Sequence, residues 1–351
     1  MDRITRVRKK MQQASLDAVL FYKPENLFYL SGFTGTTGYV LITPSDKYFL
    51  TDFRYFSQVK EQAPEFELVP LDYAHPVRSR IEELTRGILG FEEEHMIVEM
   101  YDELKETYEG ELQPMRRFIE ELRMMKDEQE LITMQKAQDI ADETYMEILE
   151  IVSAGMTEED LAQEIYLRMR RKGASRNSFE TIVASGVRGA LPHGVASGKV
   201  MQRGELVTID FGCVYEGYCS DMTRTFALGR ADDHQREIYN IVLEAQLAAM
   251  EVIKPGVSTQ VVDKTARDII AGYGYAENFG HGLGHAVGLE IHENPRFSPL
   301  CDVPLKVGMV MTNEPGIYID DFGGVRIEDT VVVTEDGYRN LTHSPKELIE
   351  V

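Results

Sequence analysis

The second half of this chain is written twice, and that duplication leaves few folds open to it. Val152-Ser153-Ala154-Gly155-Met156-Thr157 parallels Ile253-Lys254-Pro255-Gly256-Val257-Ser258. Further on, Gly204-Glu205-Leu206-Val207-Thr208-Ile209-Asp210-Phe211-Gly212 parallels Gly308-Met309-Val310-Met311-Thr312-Asn313-Glu314-Pro315-Gly316. In each copy a long helix ends near a glycine and a hydroxyl residue caps the next helix. A β-type run then leads to an acidic residue, Asp210 in one copy and Glu314 in the other. Two such copies predict a pseudo-twofold α+β domain with a site between its halves. The apolar spacing predicts a helix over Asp127 to Val152, with Ala137, Ala141, Tyr145, Ile148, Leu149 and Val152 on one face and Gly155 closing it. A second helix is expected from its cap at Thr157 to Gly173.

The repeat begins only after about residue 123, and 351 residues are too many for one typical core. Two domains are expected, 1–123 and 124–351. The first reads as a smaller α/β unit. A helix runs to about Ala14, a buried strand spans Leu16 to Tyr22, and Gly38–Thr43 and Lys47–Thr51 form two strands around a Pro-Ser-Asp turn. Helices and one more short strand complete it. The glycine-rich run Ser31 to Gly38 lacks both the Walker lysine and the dinucleotide spacing, so it is read as a structural loop.

Composition narrows the chemistry. The formal net charge is −22, which repels nucleic acid and anionic membrane surfaces. No apolar run reaches 18 residues, and the charged N-terminus lacks a signal-peptide core, so no membrane span or secretion is expected. Cys213, Cys219 and Cys301 fit neither a disulfide framework nor a zinc ribbon, which points to a reducing cytoplasm. So acidic a chain owes most of its charge to solubility, but some of its carboxylates fall in a pattern suited to cations.

That pattern starts at Asp210. A hairpin turning at Glu216-Gly217 sets Gly212 opposite Asp221 and Asp210 opposite Thr223. Asp210 and Asp221 are then diagonal neighbours on one face, roughly 7–8 Å apart at Cα, with Gly212 leaving room between them. Two carboxylates so placed repel without a cation. The competing reading is a surface pair between Asp221 and Arg224. In the second copy, alternation puts Val325 and Ile327 on one face and Arg326 and Glu328 on the other. Between the copies, His281-Gly282-Leu283-Gly284-His285 and His292 place three of eight histidines within twelve residues.

The segment from His281 to Glu293 resembles the signature of prolidases and Xaa-Pro aminopeptidases, the proline-specific branch of the pita-bread metallopeptidases. Leu191-Pro192-His193-Gly194, Ile209-Asp210-Phe211-Gly212, Ser220-Asp221-Met222-Thr223-Arg224-Thr225, Asn313-Glu314-Pro315-Gly316 and Arg326-Ile327-Glu328-Asp329 match the same family in order. The first domain is similar to the creatinase-type N-terminal domain, through Tyr29-Leu30-Ser31-Gly32-Phe33. The resemblance implies a pita-bread C-terminal domain and two divalent metal ions. Asp210 would chelate one ion, Asp221 and Glu328 would bridge both, and His285 with Glu314 would complete the other. An oxygen-rich set favours Mn²⁺, with Co²⁺ or Zn²⁺ as alternatives.

The implied reaction is hydrolysis of the Xaa-Pro bond of a dipeptide by a metal-bridging hydroxide. Glu314 would shuttle the proton, His292 would stabilise the tetrahedral intermediate, and His193 would face the substrate. His281, Arg326 and Tyr318 would form the outer shell or contact substrate. The family also implies a homodimer. The alternatives are an Xaa-Pro aminopeptidase on longer peptides, a metal-free amidinohydrolase, and an inactive binding module on the same fold.

Overall fold

The computed structural model describes residues 2–351. The chain divides into two compact units, Met1–Arg123 and Met124–Val351. The first unit is built on six strands: β1 (Ala18–Phe21), β2 (Tyr39–Ile42), β3 (Lys47–Thr51), β4 (Glu67–Pro70), β5 (Ile88–Phe91) and β6 (Glu111–Pro114). They lie in the order β4-β3-β2-β1-β5-β6. The one additional strand expected after Thr51 is in fact three. Each is four residues long, and β4 and β6 pair in parallel at the sheet's edges, too short to show a period. The first helix, Arg3–Gln13, turns Ile4, Val7 and Met11 inward. The glycine-rich loop follows a helix, Pro24–Ser31, that the sequence reading did not mark. Gly32, at φ +76°, caps it.

The second unit opens with helices Glu128–Leu149 and Glu158–Arg171, each started by a reciprocal capping box. Asp127 exchanges bonds with Glu130, and Thr157 with Asp160. The first helix stops three residues short of Val152. Gly155 is therefore not its cap; it donates its N–H to Met201 O at 3.0 Å instead.

Then come β7 (Arg176–Asn177), β8 (Ile182–Ser185), β9 (Leu206–Phe211), β10 (Cys213–Tyr215), β11 (Tyr218–Cys219) and β12 (Met222–Ala227). Helices Asp233–Glu251 and Thr259–Gly272 open the second copy. Its strands are β13 (Gly284–Ala286), β14 (Glu293–Phe297), β15 (Val310–Asn313), β16 (Gly316–Ile319), β17 (Gly323–Arg326), β18 (Asp329–Val333) and β19 (Tyr338–Asn340).

The two copies share their hydrogen bonds as well as their order. Gly155 N to Met201 O corresponds to Gly256 N to Leu305 O. Glu158 N to Lys199 O corresponds to Thr259 N to Val303 O, and Gly204 N to Leu228 O corresponds to Gly308 N to Val333 O. Isolated bridges Thr157–Val200 and Ser258–Pro304 complete the match. Each helix pair packs on its own strands. Ile140, Tyr145, Leu161, Ile165, Val207, Ile209, Phe211 and Phe226 form the first core. Tyr239, Val242, Ala245, Val262, Ile270, Met311, Val331 and Val333 form the second. The helices cover one face of the strands, and the other face is left for polar side chains.

The first hairpin turns where the alternation places it, at Glu216 and Gly217, both in the left-handed region with φ +45° and +87°. It is not one continuous ribbon, however. β9 lies between β12 and β8 in one sheet, while β10 lies between β11 and β7 in another. The break falls at Gly212. A Cβ there would lie 1.9 Å from Ser220 O and 2.5 Å from Ser178 Oγ. Gly212 thus clears the crossing of two backbones, not a space between carboxylates.

Candidate metal centre

Three carboxylates converge where the strands change sheets. Asp210 is the penultimate residue of β9 and lies opposite Thr223 of β12. Asp221 immediately precedes β12. Glu328 occupies the break between β17 and β18, with Arg326 and Glu328 facing the site while Val325 and Ile327 join the apolar core. Asp210, Asp221 and Glu328 each present an oxygen within 4.8 Å of the others, and all three are buried.

Two residues of the second copy close the cluster. Glu314 follows β15, and His285 lies in β13. His285 Nε2 is 3.5 Å from Asp221 Oδ2 and 3.4 Å from Glu314 Oε1. Its Nδ1 faces Ala286 O at 3.2 Å and must donate there, so Nε2 turns a lone pair toward two carboxylates. Burial pulls this imidazole down to about 3, so it carries no proton at Nε2. Gly284 permits the approach: a Cβ there would lie 2.2 Å from Thr312 O. Thr312 Oγ1 accepts from His285 N at 2.9 Å and donates to Glu314 Oε1 at 3.2 Å.

Such a cluster is costly by itself. Burial, then Asp210 and Glu314, push the Asp221 carboxyl well above its ordinary range. Glu328 is pushed well up by burial and by Asp221. Glu314 is pushed up to about 8, burial again leading. Asp210 Oδ1 and Glu328 Oε1 are buried without a hydrogen-bond partner. Each uncompensated buried charge costs several kcal/mol, more than the ~1.5–3 kcal/mol that one buried aliphatic side chain returns. Orphaned carboxylate oxygens and an imidazole lone pair in one buried cluster fit divalent cations, and four carboxylates with one imidazole make a hard donor set. The competing reading, a pair between Asp221 and Arg224, does not occur. Arg224 is fully buried on the opposite side and binds Asp329 at 2.7 Å, Ser344 O at 2.8 Å and Thr223 O at 2.9 Å.

A chain of donors holds the cluster from behind. Arg326 Nη2 donates to Asp210 Oδ2 at 2.7 Å, its Nε to Thr223 Oγ1 at 3.1 Å, and its Nη1 to Tyr318 Oη at 2.9 Å. Arg326 thus reaches Asp210 directly, and Glu328 only through Thr223, whose hydroxyl donates to Glu328 Oε2 at 2.6 Å. Tyr318 Oη lies 2.9 Å from His281 Nε2, and His281 Nδ1 is 2.7 Å from Gly282 O. His281 therefore donates from Nδ1 and accepts the tyrosine proton. Burial holds it down at about 4, and hence neutral.

All ten residues singled out in the sequence line one cavity of about 560 Å³. His292 lies in the loop before β14, its ring 4.5 Å from that of His285. Burial and the nearby Arg296 lower its basicity. His193 is exposed, in the loop after β8. Sequence reasoning missed Arg296, which also lines the cavity and stands directly opposite His285 in the β13–β14 ladder. It missed Thr223 and Thr312 too. Two-residue spacing from Asp221 and Glu314 was the available signal, because it puts each threonine on its acid's face.

Comparison with known proteins agrees with this geometry. Residues 133–335 match the model of metallopeptidase family M24, and residues 3–125 that of the creatinase/prolidase N-terminal domain. An Xaa-Pro dipeptidase of Pyrococcus horikoshii is 40% identical over 355 residues, covering 99% of each chain. The structure of an Xaa-Pro dipeptidase from Bacillus anthracis superposes with TM-score 0.96 at 44% identity, covering 99% of both chains. An X-Pro aminopeptidase from Thermotoga maritima superposes with TM-score 0.92 at 38% identity, covering 100% of both.

Proposed function

The chain belongs to metallopeptidase family M24, and from that premise we propose that it is an Xaa-Pro dipeptidase. One observation carries the choice of a dipeptide: Arg296 stands opposite His285 inside the cavity. Cross-strand neighbours have Cβ atoms about 4.5–5.5 Å apart. A guanidinium beside the metal-ligand set can pair with a carboxylate two residues from the substrate's amino end. In a dipeptide that carboxylate is the C-terminus; in a longer peptide it is an amide.

Asp210, Asp221, His285, Glu314 and Glu328 would hold two divalent ions, which we propose are Mn²⁺. Asp221 and Glu328 would serve both. When bound, the ions supply Lewis acidity toward the scissile carbonyl and acidify water. The chain's own groups do the rest. Glu314, beside the attacking water, takes a proton from it and passes it to the leaving proline nitrogen. His292 donates a hydrogen bond to the oxygen that becomes negative as the carbonyl is attacked. His193, at the exposed side, orients the substrate. Arg326, Tyr318 and His281 fix Asp210 through their donor chain.

The proline bond offers no N–H, so recognition falls on ring shape and on the charged ends. Ile182, Val195 and Ile291 supply apolar cavity wall for the ring. No helix among the described residues is long and apolar enough to cross a membrane. We take the protein to act in the cytoplasm as a homodimer, on short proline-containing peptides, with no nucleic-acid or membrane partner.

The resemblance to an X-Pro aminopeptidase structure favours a second reading, cleavage of longer peptides. Turnover of Ala-Pro and Ala-Pro-Ala, with Mn²⁺ or with EDTA, separates the two. Cleavage of the dipeptide alone, abolished by EDTA, is the expected result. Faster cleavage of the tripeptide would replace dipeptidase by aminopeptidase, and no cleavage of either with Mn²⁺ would remove both.

A further inference from the structure

His193 sits in a segment with little regular structure. After β8 the chain makes one 3-10 turn, Gly186–Ala190, and then runs irregularly to Val200. What fixes this segment is a side chain from outside it. Glu158, the first residue of helix Glu158–Arg171, is fully buried. Its Oε1 accepts from Ser185 N at 2.9 Å and Ser185 Oγ at 2.8 Å. Its Oε2 accepts from Ser197 N at 3.2 Å, from Ser197 Oγ at 2.7 Å and from Arg188 Nη1. Arg188 in turn donates from Nη2 to Val195 O at 2.8 Å.

One carboxylate therefore grips the loop where it leaves the strand, at its 3-10 turn and where it returns. His193 is near the tip between those grips. An acidic residue in a helix's first turn ordinarily serves the helix dipole, and needs no partner from another segment. Exposed Glu159 and Asp160 already serve there. Glu158 instead uses its full accepting capacity on a different segment.

The second copy has the same device in neutral form. Thr259, at the equivalent helix position, is fully buried. Its Oγ1 donates to Cys301 O at 2.6 Å and accepts from Val303 N at 3.1 Å. The segment it grips follows β14, as the first follows β8, and reaches the cavity at Ser298. Only the first copy spends a buried charge on its clasp, and only that clasped loop carries a histidine into the cavity.

We infer that Glu158 is a positioning residue for His193: it closes the loop 185–197 so that the imidazole meets the substrate from a fixed direction. This rests on the reading of His193 as a substrate-facing group. Glu158→Gln keeps the size of the side chain and one accepting oxygen. It turns an NH₂ toward Ser197 or Ser185, and so frees one end of the loop.

The test is kcat and KM for Ala-Pro with the full-length, Mn²⁺-loaded protein carrying His193→Ala, Glu158→Gln or both. The expected result is that each single change lowers the same kinetic parameter, by about 10- to 100-fold. The double variant is then no worse than the poorer single one, and amide exchange speeds up within 186–197 alone. Multiplied losses in the double variant, or wild-type kcat and KM in Glu158→Gln, overturn the inference. A silent His193→Ala removes the reading beneath it and the inference together. Should Glu158→Gln fail to fold, Ser197→Ala removes a single donor. A loss that vanishes in the His193→Ala background supports the clasp, and one that multiplies overturns it.

Discussion

Arg326 Nη2 lies 2.7 Å from Asp210 Oδ2, while the other oxygen of the same carboxylate is buried with no partner at all. The guanidinium neutralises one side of Asp210 and leaves the other facing Asp221 and Glu328. Arg326→Met should therefore do more than remove a charge. Breaking one side of a buried pair costs about 3–5 kcal/mol, read as a lower urea midpoint. Arg326→Lys, which keeps the charge but loses the fork that reaches Thr223 and Tyr318, should lose activity by about 10- to 100-fold. Wild-type kcat in Arg326→Lys would show that the donor chain is idle.

Asp221→Asn should separate stability from metal binding. In metal-free protein it relieves the repulsion of Asp221 with Asp210 and Glu314, so thermal unfolding should occur at the wild-type temperature or higher. Added Mn²⁺ should raise the unfolding temperature of the wild type but not of Asp221→Asn. An equal Mn²⁺-induced rise in both proteins would remove Asp221 from the ligand set.

The pH dependence of metal-free stability should run opposite to ordinary acid denaturation. Glu314 binds its proton up to about pH 8 when folded but only to about 4.5 when unfolded, and Asp221 and Glu328 are shifted in the same direction. Between those limits the native state holds more protons, so stability rises as pH falls from 8 toward 4.5. With Mn²⁺ present the trend should reverse, because ligands must shed protons to bind. Chemical unfolding at pH 8 and pH 5.5, with EDTA or Mn²⁺, measures both slopes. A metal-free protein that weakens steadily on acidification across this range would contradict the repulsion described here.

Arg296→Gln should raise KM for Ala-Pro with little change in kcat. A lost hydrogen bond to a charged group amounts to about 1.5–3 kcal/mol, or roughly 10- to 150-fold. Any activity on Ala-Pro-amide, which lacks the carboxylate, should be unaffected. Equal losses on both substrates would mean that Arg296 does not read the C-terminus.

Gly284→Ala tests the ladder itself. A methyl group 2.2 Å from Thr312 O forces β13 away from β15. Destabilisation of about 1–3 kcal/mol is expected, together with weaker Mn²⁺ binding, because His285 is the next residue. Calorimetric titration with Mn²⁺ measures the second effect, and unchanged affinity would show that His285 is held independently of its strand.

The site's polar residues were readable because each has chemistry that its apolar neighbours lack. Asp210 and Glu328 interrupt runs of β-branched residues, and alternation assigns them a face. The hairpin turn at Glu216-Gly217 follows from local rules alone. Arg296 was hidden for a different reason. Its place opposite His285 depends on a register shift between His285 and Ala286, which no strand pattern encodes. Glu158 was hidden by its neighbours, since three successive acids after a capping threonine read as one helix start. The break at Gly212 depends on β7 and β8 arriving from elsewhere, and hairpin logic sees only two strands.

The five candidate ligands are dispersed from Asp210 to Glu328, and the two copies that carry them must close on each other to bring them together. A nascent chain leaving the ribosome therefore has no centre to assemble until Glu328 has emerged and β18 can add to β15. Metal can then act only as a late lock on a fold that hydrophobic packing has already built, not as a nucleus for it. Until that moment the first copy holds Asp210 and Asp221 without their partners.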